Sequence, residues 1–213
     1  MSTIAVFGST GQTGHRIVDR LAHDGHDVLA ISRRPTGGDS PRIRTAAADL
    51  THTSVDELCE ILSGIDAVVF AAAGDPIRVD RDGALRVIDA AERAGVTRFV
   101  LITGMGVGRP RPSEYYGGFW DTYFGAKEAS ERALRTSTLA WTILQPGELL
   151  NERGRGHVEL APTGSLPISA VTRDDVAAVV GAVVDRADTA GHGWELVHGD
   201  RTIEGAIERA VRR

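Results

Sequence analysis

The chain has 213 residues, of which 42% are hydrophobic and 25% charged, and its formal net charge is −5. This size and composition predict one globular domain, and the acidic balance argues against a nucleic-acid-binding protein. The single cysteine, Cys59, excludes an internal disulfide bond, which fits a reducing compartment. Because the sequence shows neither a membrane-spanning apolar run nor a signal-peptide pattern, we expect a cytoplasmic protein that binds no membrane.

Short apolar runs alternate with longer helical patterns along the first two thirds of the chain. The runs predict strands at 4–7, 28–31, 43–47, 67–71, 99–102 and 141–144. The helical patterns cover about 12–23, 54–62, 79–94 and 120–135. Strands that alternate with helices in this way form βαβ units, so we predict an α/β fold with a doubly wound parallel sheet.

The pattern becomes irregular after Pro146. Residues 147–167 read as a loop with one short strand, followed by a helix at 172–186, a strand at 194–197 and a helix at 203–211. No repeat and no linker divides the chain. We therefore expect a single domain over residues 1–213, in which about 146–213 form a small extension on the substrate side.

A glycine-rich segment joins the first strand to the first helix. Its sequence, Gly8-Ser-Thr-Gly11-Gln-Thr-Gly14, has G-x-x-G-x-x-G spacing. Glycines at this place permit a tight turn and a close approach of the backbone to a pyrophosphate. The helix that follows presents free N–H groups and a partial positive charge to the phosphates. The segment therefore predicts that the chain binds a dinucleotide.

The end of the second strand predicts which dinucleotide is preferred. An NAD site usually has an acidic residue here for the ribose 2′-hydroxyl, whereas this chain has Ser32-Arg33-Arg34. Guanidinium groups form forked, charge-assisted hydrogen bonds with phosphate. We therefore expect NADP(H), with NAD(H) as the less favoured alternative.

Residues after the third and fourth strands suit the rest of such a cofactor. Asp49 can accept a hydrogen bond from the adenine amino group, and Leu50 can cover the adenine ring. The small residues around Ala72 leave room for the cofactor to cross the edge of the sheet.

Lys127 is the only lysine in a chain with 24 basic residues, and it follows Tyr123 by four positions on one helical face. Tyr123 suits a general acid or base for a carbonyl or alcohol oxygen. One ammonium at about 4 Å contributes about 4 kcal/mol at an effective dielectric constant near 20, enough to bring a tyrosine pKa from about 10 towards 7–8. Thr103, at the end of the fifth strand, offers a hydroxyl to the substrate oxygen or a bond to the backbone.

Together these motifs resemble the atypical short-chain dehydrogenase/reductase superfamily, and within it the small NAD(P)-binding group that includes biliverdin/flavin-reductase-like proteins. The resemblance covers nearly the whole chain: the glycine segment, Asp49-Leu50, the tyrosine–lysine pair and residues 79–84, 95–100, 139–147 and 172–177. The chain departs from the family pattern in having no clear serine beside Thr103.

The resemblance implies a Rossmann fold, with Tyr123 and Lys127 performing acid/base chemistry and Lys127 also holding the nicotinamide ribose. The cofactor-binding residues that it implies are Gly8, Thr10, Gly11, Gln12, Thr13, Gly14, Arg33, Arg34, Asp49, Leu50, Ala72, Lys127 and Pro146.

Aromatic residues concentrate before and within the helix that carries Tyr123. Residues 115–124 hold six of them, in a chain with 3 Trp, 3 Tyr and 5 Phe. One interpretation is a wall or lid for a flat substrate, formed by Tyr115, Tyr116, Phe119 and Trp120. The alternatives are that these rings pack the loop down or form a subunit contact.

The sequence favours an NADPH-dependent oxidoreductase that transfers hydride to a small apolar or aromatic carbonyl or conjugated acceptor, with Tyr123 as proton donor assisted by Lys127. One alternative is a non-catalytic NADP(H)-sensing regulator. Another is an epimerase or dehydratase, which the short segment after Pro146 disfavours. The histidines show no metal-ligand spacing, so we expect no metal. The expected partner is a small-molecule substrate, and the expected assembly is a monomer or a homodimer.

Overall fold

A computed structural model describes residues 1–36 and 40–213. In the described part the strands are β1 (Thr3–Phe7), β2 (Asp27–Ser32), β3 (Ile43–Ala47), β4 (Ala67–Phe70), β5 (Arg98–Ile102), β6 (Ala140–Pro146), β7 (Glu148–Leu150), β8 (His157–Pro162), β9 (Ala170–Thr172), β10 (His192–His198) and β11 (Arg201–Thr202). The α-helices are α1 (Gln12–His23), α2 (Val55–Ile61), α3 (Asp82–Arg93), α4 (Gly118–Thr136), α5 (Arg173–Val184) and α6 (Ile203–Val211). A π-helical segment, Pro76–Arg81, precedes α3, and short 3-10 turns lie at Ser113–Tyr115 and Ala187–Thr189.

Nine strands form one sheet in the order β11-β8-β10-β6-β5-β4-β1-β2-β3. Within this sheet, neighbouring strands pair in parallel along the series β10-β6-β5-β4-β1-β2-β3. The strand β8 is antiparallel to both of its neighbours, β10 and β11. The chain proceeds outward from β1 in one direction to β3 and then in the other direction through β4. This order confirms the predicted doubly wound α/β fold, and it places a ligand crevice at the carboxyl ends of β1 and β4.

The sheet is covered on both faces. Ile4 and Val6 of β1 belong to the apolar cluster that includes α1, α5 and α6, whereas Ala5 and Phe7 belong to the cluster that includes α2 and α3. Successive residues of a strand point to opposite faces, so the uninterrupted apolar sequence of β1 supplies both clusters.

The first six predicted strands and the helices between them are present, with ends that differ by a few residues. The prediction for 147–167 was wrong in detail, because the structure has β7 and β8 there and β9 just after. β7 and β9 have three residues each and pair with one another in a separate small sheet. Strands this short show no periodicity, and their pairing depends on residues some twenty positions apart.

The described residues include no helix that is both long and apolar enough to cross a membrane. Within the same ranges, no group of three or more His, Cys, Asp or Glu side chains is placed to hold a metal ion.

Candidate functional site

Two neighbouring cavities open at the carboxyl ends of the central strands. The first has a volume of about 740 Å³ and is bounded by the glycine segment and the residues after β2, β3 and β4. The second, of about 420 Å³, is bounded by the residues after β5 and β6 and by the aromatic loop before α4. Leu149 and Arg173 line both cavities, so the two spaces adjoin.

The glycine segment is shaped as a dinucleotide loop requires. Gly8 has a φ of 82°, and a Cβ on it would lie 2.6 Å from the Cα of Ala72. A Cβ on Gly14 would lie 2.1 Å from the carbonyl oxygen of Gly8. Both distances are shorter than any side chain tolerates, so the loop and the start of α1 pack closely only because these residues are glycines.

The beginning of α1 is open to a ligand. Gly11 caps the helix without a side-chain hydrogen bond, so the first N–H groups of α1 have no side-chain acceptor there. Thr10, Gln12 and Thr13 line the first cavity beside this helix end. An anion such as pyrophosphate fits these free donors and the positive end of the helix dipole.

The ends of β2 and β3 form the other part of the first cavity. Arg33 and Arg34 are exposed, and with Thr10 and Asp49 they line an adjoining space of about 440 Å³. Ser32 lines the first cavity, and its hydroxyl is buried without a hydrogen-bond partner among the described residues. A buried hydroxyl without a partner is rare, and a ligand that hydrogen-bonds there removes the cost. The donor set therefore fits a phosphorylated dinucleotide.

Asp49 and Leu50 lie where the sequence predicts them, on the wall of the first cavity. One Asp49 oxygen, Oδ1, accepts hydrogen bonds from the Thr51 backbone N–H at 2.9 Å and from the Thr51 hydroxyl at 2.7 Å. These bonds hold the pKa of the Asp49 carboxyl below its ordinary value. Oδ1 therefore accepts hydrogen bonds within the turn after β3, which leaves Oδ2 for the adenine contact. That contact stays a prediction.

Tyr123 and Lys127 lie on the inner face of α4. A Cβ on Gly104 would lie 3.7 Å from the Tyr123 hydroxyl, which places that hydroxyl at the end of β5 and on the wall of the second cavity. Lys127 is only 4% exposed, and its Nζ lies 5.6 Å from the centroid of the Tyr123 ring. The two side chains are thus brought together, as the i, i+4 spacing predicts.

The structure adds a third residue, Asp80, that the sequence did not single out as a site residue. Its carboxylate is 1% exposed, and its Oδ1 lies 3.4 Å from Nζ of Lys127. Asp80 lies in the π-helical segment, where its backbone N–H donates to the Asp75 carbonyl at 3.2 Å. The wide π-helical turn sets the position of Asp80 against α4, and such turns are frequent at functional sites.

The electrostatics of this trio correct one expectation. Burial raises the pKa of Tyr123 above its ordinary value, and the Asp80 charge raises it further. Burial also lowers the pKa of Lys127, while the Asp80 carboxylate opposes that shift. The expected lowering of the Tyr123 pKa towards 7–8 was wrong, because Asp80 balances the lysine charge and burial disfavours the phenolate. At neutral pH the Tyr123 side chain is therefore a phenol that can donate a proton.

Thr103 lines the second cavity but its proton is directed elsewhere. The Thr103 hydroxyl donates to Oε1 of the buried Glu131 at 2.6 Å. The same carboxylate accepts from Nε2 of Gln145 at 2.9 Å, and Gln145 accepts in turn from Thr163 at 2.7 Å. Thr103 thus joins a buried side-chain network rather than a backbone group, and its catalytic role stays a prediction.

The aromatic loop divides into two sets of residues. Tyr115 and Trp120 line the second cavity together with Tyr123, whereas Tyr116 and Phe119 are 50% and 60% exposed and are not part of its wall. The rings also pack against each other: those of Tyr115 and Trp120 meet edge to face, with centroids 4.9 Å apart. Half of the predicted substrate residues therefore face the cavity, and the same rings hold the loop in place.

Pro146, at the end of β6, lines the second cavity, and its carbonyl oxygen accepts from the Met105 N–H at 2.8 Å. Sequence reasoning missed Leu149 and Arg173, which lie between the two cavities. Arg173 stands in the segment Thr172-Arg-Asp-Asp, whose resemblance to the family was the available signal.

A family model described as NAD(P)H-binding matches residues 8–187. The chain belongs to this NAD(P)H-binding family. The match confirms the family resemblance carried by the motifs and the prediction that the chain binds a dinucleotide. The preference of this family member for NADP(H) over NAD(H) stays a prediction, as do the individual roles of the cofactor-binding residues.

Three proteins that are similar to this chain carry different functional names. The "uncharacterized sugar epimerase YhfK" of Bacillus subtilis (strain 168) is 30% identical over 216 residues, which cover 97% of this chain and 99% of that protein. The "NAD(P)H azoreductase" of Xenophilus azovorans is 28% identical over 218 residues, which cover 95% of this chain and 70% of that protein. The crystal structure of the oxidoreductase ylbE from Lactococcus lactis superposes with a TM-score of 0.86 at 25% identity, covering 99% of this chain and 97% of that one.

Proposed function

We propose that this protein is an NADPH-dependent oxidoreductase that reduces a carbonyl or conjugated aromatic acceptor, with Tyr123 as the proton donor. The observation that carries the proposal is the position of the Tyr123 phenol: it lies in an aromatic cavity that adjoins the cavity of the glycine segment. A dinucleotide in the first cavity and an acceptor in the second would then meet at their common boundary. Relatives named as an azoreductase and as an oxidoreductase support this reaction class.

The residues in and around the first cavity have separable roles in binding. The backbone of the glycine segment and the start of α1 hold the pyrophosphate, and Arg33 and Arg34 hold the 2′-phosphate. Lys127 is 4% exposed and lines neither cavity, and it has N–H donors beyond the one nearest Asp80 that would serve the ribose hydroxyls. When bound, NADPH supplies the hydride.

The proton comes from Tyr123. As the acceptor carbon gains the hydride, the Tyr123 O–H bond breaks and its proton passes to the acceptor oxygen. The raised pKa of Tyr123 keeps this phenol protonated in the resting site. The ammonium of Lys127 lies 5.6 Å from the ring centroid and is shared with Asp80, so it offsets part of the phenolate charge until the tyrosine regains a proton from solvent.

An epimerase or dehydratase is the second candidate, because YhfK carries the name of a sugar epimerase. That chemistry begins with removal of a proton from a substrate hydroxyl, which requires Tyr123 as a phenolate. The raised pKa disfavours the phenolate at neutral pH, and rings of Tyr115, Trp120 and Phe124 line the second cavity. Both features favour reduction of a flat acceptor over chemistry on a sugar.

The cofactor part of the proposal is tested by comparing NADPH and NADH affinities. Arg33→Ala should narrow the preference for NADPH, whereas Arg44→Ala, which removes an exposed arginine of β3 outside the cavities, should leave it unchanged. Equal affinities of the wild type for the two cofactors would contradict the NADP(H) assignment.

The reaction is tested with a panel of quinones, azo compounds and aromatic ketones, followed by the loss of NADPH absorbance. We expect turnover of at least one class. Tight binding of NADPH without turnover across the panel would favour the regulatory NADP(H)-sensing alternative.

A further inference from the structure

Arg173 is placed at the boundary between the two cavities. It is the first residue of α5 and contributes to the walls of both. Its Nη1 donates to the Leu149 carbonyl at 2.8 Å and to Oδ1 of Asn151 at 2.9 Å. One edge of the guanidinium is thereby fixed to β7 and the following residue, and its remaining N–H donors stay available.

The charge of Arg173 is not balanced within the described residues. Over 1–36 and 40–213, no carboxylate forms a salt bridge with Arg173, whereas Arg16 pairs with Asp174 at 2.7 Å and Arg111 with Asp121 at 3.2 Å. Burial and the nearby Arg16 charge lower the pKa of Arg173. A guanidinium stays charged in proteins, so these surroundings favour an anionic partner from outside the chain.

The second cavity limits what that partner can be. Rings of Tyr115, Trp120 and Phe124 line it and suit a flat apolar body. Of the two arginines in its wall, Arg111 already pairs with Asp121 and stacks on the Phe124 ring at 4.3 Å. Arg173 is therefore the cation left for a ligand. Glu148, the acidic residue of this wall, is exposed to solvent and forms no salt bridge with Arg173.

We propose that Arg173 binds the carboxylate of an aromatic acid whose ring occupies the second cavity. This inference rests on the proposed function only in taking the second cavity as the acceptor site. A guanidinium binds a carboxylate through two parallel hydrogen bonds, and the tether to Leu149 and Asn151 orients the fork in advance. The cofactor pyrophosphate is the other anion within reach, but the start of α1 already provides donors for it.

Ligand binding tests this assignment without requiring turnover. The probes are 2-naphthoate and 2-naphthamide, which share a ring system and differ in charge. Each is titrated into protein saturated with NADP⁺ and followed by quenching of tryptophan fluorescence, since Trp120 lines the cavity. The wild type should bind the carboxylate about 10-fold to 100-fold more tightly than the amide, as a charge-assisted hydrogen bond provides.

Three arginine variants carry the comparison. Arg173→Gln should remove the preference for naphthoate, whereas Arg153→Gln should keep it, because Arg153 is exposed and lines neither cavity. Arg173→Lys keeps the charge without the fork, so it should retain a reduced preference. The Arg173→Lys variant decides the question should Arg173→Gln fail to fold.

The proposal is overturned by equal binding of the two probes to the wild type, or by a preference that survives in Arg173→Gln. If Arg173→Gln weakens NADP⁺ binding and leaves the naphthoate preference intact, the arginine serves the cofactor phosphates instead. A naphthoate preference without turnover of any acceptor would remove the proposed reaction and leave the carboxylate site in place. Failure of the carboxylate site and failure of the proposed reaction thus give different experimental results.

Discussion

Replacing Asp80 by asparagine leaves the Lys127 ammonium buried without its counter-ion. The two side chains are 1% and 4% exposed, and the distance between Oδ1 and Nζ is 3.4 Å. Removing one partner from a buried ion pair costs about 3–5 kcal/mol. The matched control is Asp82→Asn, which breaks the ion pair of Arg81 and Asp82 at 2.7 Å, where both side chains are more than two fifths exposed. An exposed pair contributes about 1 kcal/mol or less.

Urea denaturation measures the difference. With a slope of about 2 kcal/mol per molar, the midpoint should fall by about 2 M for Asp80→Asn and by less than about 0.5 M for Asp82→Asn. The double variant Asp80→Asn/Lys127→Met should recover most of the loss, because it removes both buried charges. Equal midpoint shifts for the two single variants would refute the assignment of a buried ion pair.

The stability lost in Asp80→Asn should depend on pH in a definite direction. The Asp80 carboxylate opposes the lowering of the Lys127 pKa, so without it burial lowers the folded-state pKa further. A lysine with a depressed folded-state pKa loses stability as pH falls, since the unfolded chain binds the proton more tightly. The deficit of Asp80→Asn should therefore shrink as pH rises from about 7 to about 10.

Three further predictions concern catalysis. Tyr123→Phe should lower kcat for reduction by about 100-fold to 10,000-fold and leave NADPH affinity unchanged, and an unaltered kcat would exclude Tyr123 as the proton donor. Because the pKa of Tyr123 is raised above its ordinary value of 10.0, the reductive kcat should stay level from about pH 7 to about pH 9, and alcohol oxidation should accelerate over this range. A reductive kcat that falls around pH 7–8 would instead indicate a lowered tyrosine pKa. Lys127→Arg keeps the charge but puts a larger fork into a site that is 4% exposed, so it should lose most activity, and wild-type rates would show that any cation suffices.

The parts of the site that sequence reasoning located are those that depend on neighbours along the chain. The glycine segment is recognisable because the positive φ of Gly8 and the close approach at Gly14 each require glycine, at fixed spacing between a strand and a helix. Tyr123 and Lys127 share a face because they are one helical turn apart. In these cases local geometry alone fixes the arrangement.

The parts that it missed depend on contacts between distant segments. Asp80 reaches Lys127 from a π-helical turn, and nothing in the sequence around either residue indicates the partner. Burial of Tyr123, together with that contact, reversed the expected direction of the Tyr123 pKa. The aromatic loop shows the same limit: Gly117 and Gly118 both have positive φ, and on each side of this turn one ring faces solvent and the next one lines the cavity.

The central claim is that Tyr123 protonates an acceptor while NADPH reduces it in the adjoining cavity. The most direct measurement uses NADPH deuterated at both C4 positions of the nicotinamide, an aromatic ketone turned over by the protein, and mass spectrometry of the alcohol product. We predict one deuterium in the product with the wild type and about 100-fold less labelled product with Tyr123→Phe. Tight NADPH binding with no deuterium transferred to any acceptor, or equal labelling by Tyr123→Phe, would contradict the proposed reaction.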